Sequence, residues 1–318
     1  MASTISMEEA LTSWILGEYP YSVIAREKIS EQIYIFYKDK SHGKDKLRNI
    51  SKDHPEPRDY SNYIEKLLRS GVLVAGVGVG RGGDARIAEG FYYISGKSKY
   101  SAQEAICAVY PYGYISYISA MEWYGLTEKI PKIARFTVCS KSAWKDKYIA
   151  ELADRLGEVR DFSGFVPKYP KSGLYFDRKE LLVTTESSFV EPVSVRGGVV
   201  RVSSVGKTFV DMVRRPELCG GDEHVFEVYL EHGAKYSKNI IDFAERFGRK
   251  IDRARVGFLL DKVLGVQDER LYSWREDARG ERGSSRVYSP GRPFSSIYCA
   301  DWSLSLNLEL VEEYGNTN

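Results

Sequence analysis

Apolar residues in the first hundred positions recur mostly at helical spacing. Met7, Ala10, Leu11, Trp14 and Ile15 predict a first helix over about 7–16, ended by Gly17 and Pro20. A second helical stretch is expected within 22–37, although the run Ile33-Tyr34-Ile35-Phe36-Tyr37 also suits a strand. The segment 38–58 carries Gly43, Pro55 and Pro57 and reads as a loop. Asp59 is then a candidate N-cap for the clearest helix of this region. Tyr60, Tyr63, Ile64, Leu67 and Leu68 form its apolar stripe, Ser61, Asn62, Glu65, Lys66 and Arg69 lie off the stripe, and Gly71 closes it. Val72–Ala75 and Phe91–Ile94 follow as two short strands joined by a segment rich in glycine and arginine. Helix, helix, helix and β-ribbon is the order of a winged helix-turn-helix, which places its last helix in the DNA major groove and its wing on backbone or minor groove.

Beyond residue 100 the pattern alternates between the two periods. Ala102–Val109, Ile115–Trp123 and Trp144–Leu156 predict helices, and Ile133–Cys139 predicts a strand. Leu181–Val183, Val193–Val195 and Val199–Val202 read as strands, the last two around a hairpin composition at Arg196-Gly197-Gly198. Four more helices are marked by Phe209/Met212/Val213, by Val225/Phe226/Tyr229/Leu230, by Ile240/Ile241/Ala244/Phe247 and by Val256/Leu259/Leu260/Val263/Leu264. Residues 275–297 read as an exposed loop, and the alternation Trp302, Leu304, Leu306, Leu308 predicts a final strand. The fold class expected is α+β. A winged helix-turn-helix occupies 1–98, and a larger mixed α/β domain occupies 99–318.

Composition narrows the class without naming a function. With 43% hydrophobic and 28% charged residues, the chain has apolar material for a full core. No run approaches the roughly 18 apolar residues of a membrane span, and the N-terminus does not read as a secretory signal, so a cytoplasmic protein is expected. Cys107, Cys139, Cys219 and Cys299 are widely spaced, which argues against a zinc site and against a disulfide framework. The net charge is only +2, but between Lys38 and His54 six basic residues face three acidic ones. That stretch could neutralise phosphates or be a solvated loop.

Several motifs point to chemistry and fall short of it. Gly78-Val79-Gly80-Arg81-Gly82-Gly83 fits a dinucleotide fingerprint, but Asp84 to Glu89 leaves room for barely a turn before Phe91 and none for the required helix, so a wing turn is expected. Gly206-Lys207-Thr208 resembles the end of a P-loop, yet Arg201 stands where the first glycine is needed, so a helix N-terminus is expected. His42, His54, His224 and His232 have no ligand spacing, and the last two read as surface residues on one helix. The aromatic stretch Tyr110, Tyr112, Tyr114, Tyr117, Trp123 and Tyr124 could stack on bases, but aromatics at this density more often build a core or a partner surface. No catalytic residue, cofactor or metal is expected.

Three segments of the chain resemble the AbiEi family of antitoxins from type IV toxin–antitoxin, abortive-infection systems. Ser119-Ala120-Met121-Glu122-Trp123-Tyr124-Gly125-Leu126-Thr127 is similar to the family's Ser-Ala-Leu-x-x-x-Gly-Leu-Thr helix. Thr208-Phe209-Val210-Asp211 with Arg215-Pro216-Glu217-Leu218-Cys219-Gly220-Gly221 is similar to its Thr-Leu-x-Asp and Arg-Pro-Glu-Leu-x-Gly-Gly pattern. Pro290, Pro293, Asp301-Trp302 and Asn307 resemble its C-terminal end. Residues 38–58 depart from the family, whose members pass more directly into the recognition helix. The resemblance implies a repressor that binds repeats in its own promoter as double-stranded DNA. It also implies an antitoxin that counteracts a cognate nucleotidyltransferase-like toxin without needing a stable complex. The groove contacts would fall on Ser61, Asn62, Lys66 and Arg69, the wing contacts on Arg81 and Arg86, and backbone contacts on Lys44 and Lys46. Two other readings stay open: a winged helix that binds a partner protein, and an enzyme with a dispersed site behind residue 98.

Overall fold

The computed structural model describes residues 3–79, 85–98, 101–157, 165–195, 197–280 and 286–315. It is a mixed α+β protein in two compact units, the first made of Met1–Ile115 and Lys132–Arg201, the second of Ser116–Pro131 and Val202–Asn318. The chain therefore leaves the first unit after Ile115, returns at Lys132 and leaves again after Arg201. The expected boundary at residue 98 falls inside the first unit.

The first unit begins with β1 (Thr4–Ile5) and α1 (Met7–Ser13), which continues as a π-helical turn over Trp14–Glu18. A capping box starts α1: the Ser6 hydroxyl accepts the Glu9 N–H at 3.2 Å, and the Glu9 carboxylate accepts the Ser6 N–H at 2.6 Å. Then follow β2 (Val23–Ala25), α2 (Arg26–Asp39), β3 (Ser41–His42) and β4 (Asp45–Leu47). The segment expected to be a loop thus contains a hairpin, turned by Gly43 at φ 60°, whose β4 pairs in parallel with β1. Next come α3 (Pro57–Arg69), β5 (Leu73–Val79) and β6 (Ala85–Ile94). Helix α3 starts three residues earlier than expected. Glu56 is its N-cap, Pro57 is its first residue, and Asp59 sits one turn in, accepting the Glu56 N–H at 2.8 Å. Strands β2, β6 and β5 form an antiparallel sheet in that order. Leu11, Ile15, Ile29, Ile33, Leu67 and Leu73 build a core for this part drawn wholly from residues up to Ile94.

The rest of the first unit is a six-stranded sheet. Helix α4 (Ala102–Val109) leads into β7 (Gly113–Ile115), after which the chain passes through α5 (Tyr117–Tyr124) of the second unit. It returns as β8 (Ile133–Val138), α6 (Lys141–Leu156), β9 (Tyr175–Phe176), β10 (Lys179–Thr185), β11 (Val193–Val195) and β12 (Val200–Val202). The strand order is β11-β12-β7-β8-β10-β9, with β8 and β10 parallel across α6. Tyr34 of α2 packs on Tyr148, Leu152 and Leu156 of α6 and on Phe165, which joins the two parts. Tyr110, Tyr114 and Tyr117 are buried, which agrees with the core alternative for the aromatic stretch.

The second unit holds α5 with α7 (Val205–Arg214), α8 (Asp222–His232), α9 (Ser237–Phe247), α10 (Lys250–Phe258), α11 (Glu269–Gly280), the short ladder β13 (Tyr298–Cys299) with β14 (Leu304–Ser305), and α12 (Glu309–Glu312). Two expectations fail here. Residues 275–280 extend α11, and a strand over Trp302–Leu308 is reduced to two residues. Trp302, Leu304, Leu306 and Leu308 are buried, but Ser303, Ser305 and Asn307 are buried too. The alternation there reflects hydrogen bonding of inward polar groups and not two faces of a sheet. Asn307 accepts the Ser289 N–H at 2.8 Å and donates to the carbonyls of Ser289 and Arg292 at 2.9 and 3.0 Å.

Gly206 lies near the start of α7, where α7 meets α9. A methyl group there would stand 2.2 Å from the Asn239 carbonyl oxygen. Alanine in a helix normally adds up to about 1 kcal/mol over glycine. Here the backbone contact reverses the sign, and Gly206→Ala is expected to destabilise by about 1–3 kcal/mol in denaturant unfolding. An unchanged or raised midpoint would contradict this close approach. Among the described residues no helix is long and apolar enough to cross a membrane.

Candidate nucleic-acid interface

Helix α3 buries Ile64 and Leu67 against α1 and α2, and this fixes which side chains remain outside. Arg58, Asn62, Glu65, Lys66 and Arg69 are all exposed and recur at spacings of three, four or one residue, so they share one face. Three of the expected groove residues, Asn62, Lys66 and Arg69, are thus brought together. Ser61 is not on this face. It is partly buried, and its hydroxyl accepts a hydrogen bond from the Arg26 guanidinium at 2.9 Å. Ser61 therefore ties α3 to the first turn of α2.

Local pairing decides how much charge the face offers. Arg69 is bound to Glu65 at 3.3 Å one turn back, and both side chains are largely exposed. Lys66 lies 5.5 Å from the Tyr63 ring centroid and has no carboxylate partner among the described residues. Arg58 was missed in the sequence because Pro57 appeared to stand outside the helix. Once Pro57 is the first helical residue, Arg58 falls one turn before Asn62. Arg26 was missed for a different reason. Its link to Ser61 spans 35 residues and leaves no periodic signal.

The basic segment before α3 is partly neutralised. Lys40 pairs with Asp53 at 2.7 Å, Lys52 with Glu56 at 2.6 Å and Arg48 with Glu9 at 3.5 Å. Lys38 donates to the Leu156 carbonyl at 3.1 Å. Lys44 and Lys46, the two expected backbone contacts, are exposed on the β3–β4 hairpin and make no ion pair among the described residues. His54 stacks on Tyr34 with centroids 5.6 Å apart. Arg81 lies outside the described residues. The backbone of Arg86 belongs to β6 and is in register with Gly78 of β5.

The remaining motifs resolve into structural roles. Ser204 caps α7 by accepting the Lys207 N–H at 3.2 Å, and the Lys207 ammonium is buried against the Asp211 carboxylate at 2.7 Å. Arg201 donates to the carbonyls of Gly113, Cys107 and Tyr110 at 2.9, 2.7 and 2.6 Å. His224, expected at the surface, is buried and sits 3.0 Å from the Thr127 hydroxyl. Burial, with Lys129 nearby, lowers its pKa below the ordinary histidine value.

No family model and no curated protein matches the chain. Among solved structures it is similar to the crystal structure of the RV2827C protein from Mycobacterium tuberculosis. The TM-score is 0.50 and the identity 11%, over 96% of this chain and 92% of that one. At that identity the likeness is one of fold.

Proposed function

We propose that the chain is a DNA-binding antitoxin of the AbiEi type, with an N-terminal winged helix that represses its own operon and a second part that counteracts a nucleotidyltransferase-like toxin in phage defence. The observation that carries the DNA-binding half is the exposed row Arg58, Asn62, Lys66 and Arg69 on α3. That helix is packed on α1 and α2 and is followed directly by an antiparallel ribbon. The strand order β2-β6-β5 supports the same reading, since a strand between the first two helices pairs with the returning strand of the ribbon. The antitoxin half rests on the family-like segments. All three, Ser119–Thr127, Val205–Gly221 and Tyr288–Asn307, belong to one compact unit although nearly 190 residues separate the first from the last. Neither half calls for a cofactor or a catalytic centre.

The test is binding of the full chain to its own promoter against random duplex of equal length, followed over a range of salt. Equal affinity for both at moderate salt would remove the repressor role. Glu65→Ala gives a signed control. It frees Arg69 and removes a negative charge from the face, so non-specific affinity should rise by about two- to five-fold. Lys44→Ala should leave sequence preference intact and reduce the slope of log affinity against log salt by about one.

A second reading draws on the pairing of Arg69 with Glu65 and of Lys52 with Glu56, which weakens the positive field around α3. A winged helix of that kind would bind a partner protein. Salt-independent binding to a protein, with no binding to any duplex, would favour it.

A further inference from the structure

Within the first unit a cavity of about 170 Å³ opens between the start of α2 and the α4–α6 side of the sheet. Five aromatic side chains contribute to its walls. Tyr19, Tyr21, Tyr112, Tyr148 and Phe165 all line it. The charged groups on the wall are not equivalent. Glu31 is saturated, holding Lys28 at 3.2 Å and Arg155 at 2.7 Å. Glu151 accepts the Tyr112 hydroxyl at 2.5 Å, and Arg201 is spent on three backbone carbonyls. Glu27 is a half-buried carboxylate with no ion-pair partner among the described residues, whereas Glu151, also without an ion pair there, is exposed.

The second observation is Tyr148. It is 3% exposed, and its hydroxyl has no hydrogen-bond partner. Tyr148 lines the cavity, and the charged and polar groups nearest in effect to its hydroxyl, Glu31, Tyr112, Arg155 and Glu27, line it too. A buried hydroxyl left without a partner costs about 1–3 kcal/mol, and something entering the cavity would recover it.

We propose that this cavity is a binding site for a small organic cation, with its charged nitrogen on Glu27, an N–H on the Tyr148 hydroxyl, and its body among the aromatic rings. Electron-rich ring faces attract cations, and a neighbouring carboxylate supplies the charge complement. Burial holds the Glu27 carboxyl above its ordinary pKa, with Lys168 and Arg26 acting in the opposite sense. An arriving cation would favour its charged form. An anion has no recipient here, because the arginines and the lysine on the wall are already engaged. The site does not depend on the DNA-binding reading, and its test needs no DNA.

The test uses the full chain and calorimetric titration with phenethylamine, agmatine and tetramethylammonium. Phenethyl alcohol and phenylacetate serve as shape-matched controls without the positive charge. At least one cation should bind saturably and both controls at least tenfold more weakly. Glu27→Gln should cut cation affinity about tenfold or more. Tyr148→Phe should weaken an amine that carries N–H groups while leaving tetramethylammonium unchanged. Circular dichroism and thermal unfolding of both variants check that the fold is retained, and both groups lie outside the α3 face. If none of the three cations binds, or the alcohol or the carboxylate binds as well as the cation, or Glu27→Gln binds like the parent, the proposal is overturned.

Discussion

Asp252→Ala is expected to destabilise the second unit by about 3 kcal/mol. The side chain is fully buried at the start of α10. Its oxygens accept hydrogen bonds from the Arg249 N–H at 2.8 Å and from the Arg249 guanidinium at 3.0 Å, and it pairs with Arg214 at 2.8 Å. Arg249 is mostly exposed and would rehydrate if the carboxylate were lost, but Arg214 is only 21% exposed and would not do so freely. Removing one partner of a buried pair costs more than the pair is worth, because the other keeps its desolvation penalty. Desolvation alone would raise the pKa of Asp252. The hydrogen bonds from Arg249 and Arg214 outweigh it and hold the carboxyl below the ordinary aspartate value. The sign for pH follows. A depressed folded-state pKa stabilises above the unfolded value of about 3.9 and loses that contribution as pH falls through the folded value. The gap between parent and Asp252→Asn should therefore be full at neutral pH and shrink below about pH 4. Denaturant unfolding followed by tryptophan fluorescence reads it through Trp274 and Trp302. A loss under about 1 kcal/mol for Asp252→Ala at pH 7 would contradict the account.

The second large effect is on DNA binding. Replacing Lys66 and Arg69 together by alanine should weaken binding to the operator by about 2–4 kcal/mol, roughly 30- to 1,000-fold, if both reach base edges. The two should contribute unequally. Lys66 has no acidic partner to give up, whereas Arg69 must first leave Glu65. Both side chains are on the solvent side of α3, so the unfolding midpoint should move by no more than about 0.5 kcal/mol. An affinity within threefold of the parent, with folding intact, would remove α3 from the interface. A drop equal on operator and random DNA would assign the pair to phosphate contacts instead.

What the sequence alone reveals varies with the distance over which each feature is set. The apolar stripe of α3 and its outward face were legible because a helix repeats its environment every turn. The start of the helix was misplaced because Asp59 looks like a cap, while Pro57 at the first position with Glu56 before it is a stronger signal. The β3–β4 hairpin was not legible, since its strands are two and three residues long and depend on pairing with β1 some 40 residues earlier. The Arg26–Ser61 link and the Glu27–Tyr148 cavity join segments 35 and 121 residues apart. Both ends look like ordinary polar surface in the sequence. The strand expected at the C-terminus failed for a related reason. Alternation suggests one buried face, but the intervening Ser303, Ser305 and Asn307 are buried too, hydrogen-bonded to residues 10–25 positions away.

The excursion of the chain through α5 has a consequence for synthesis on the ribosome. Helix α5 belongs to the second unit and has Ile118, Ala120 and Met121 buried there, against a helix that starts only at Val205. At about 5–20 residues per second, the 81 residues from Tyr124 to Val205 take roughly 4–16 s to emerge. During that interval α5 is without the helix it packs on in the folded second unit. Ribosome-bound chains ending near Arg201 should therefore recruit chaperones more strongly than chains long enough to expose α7.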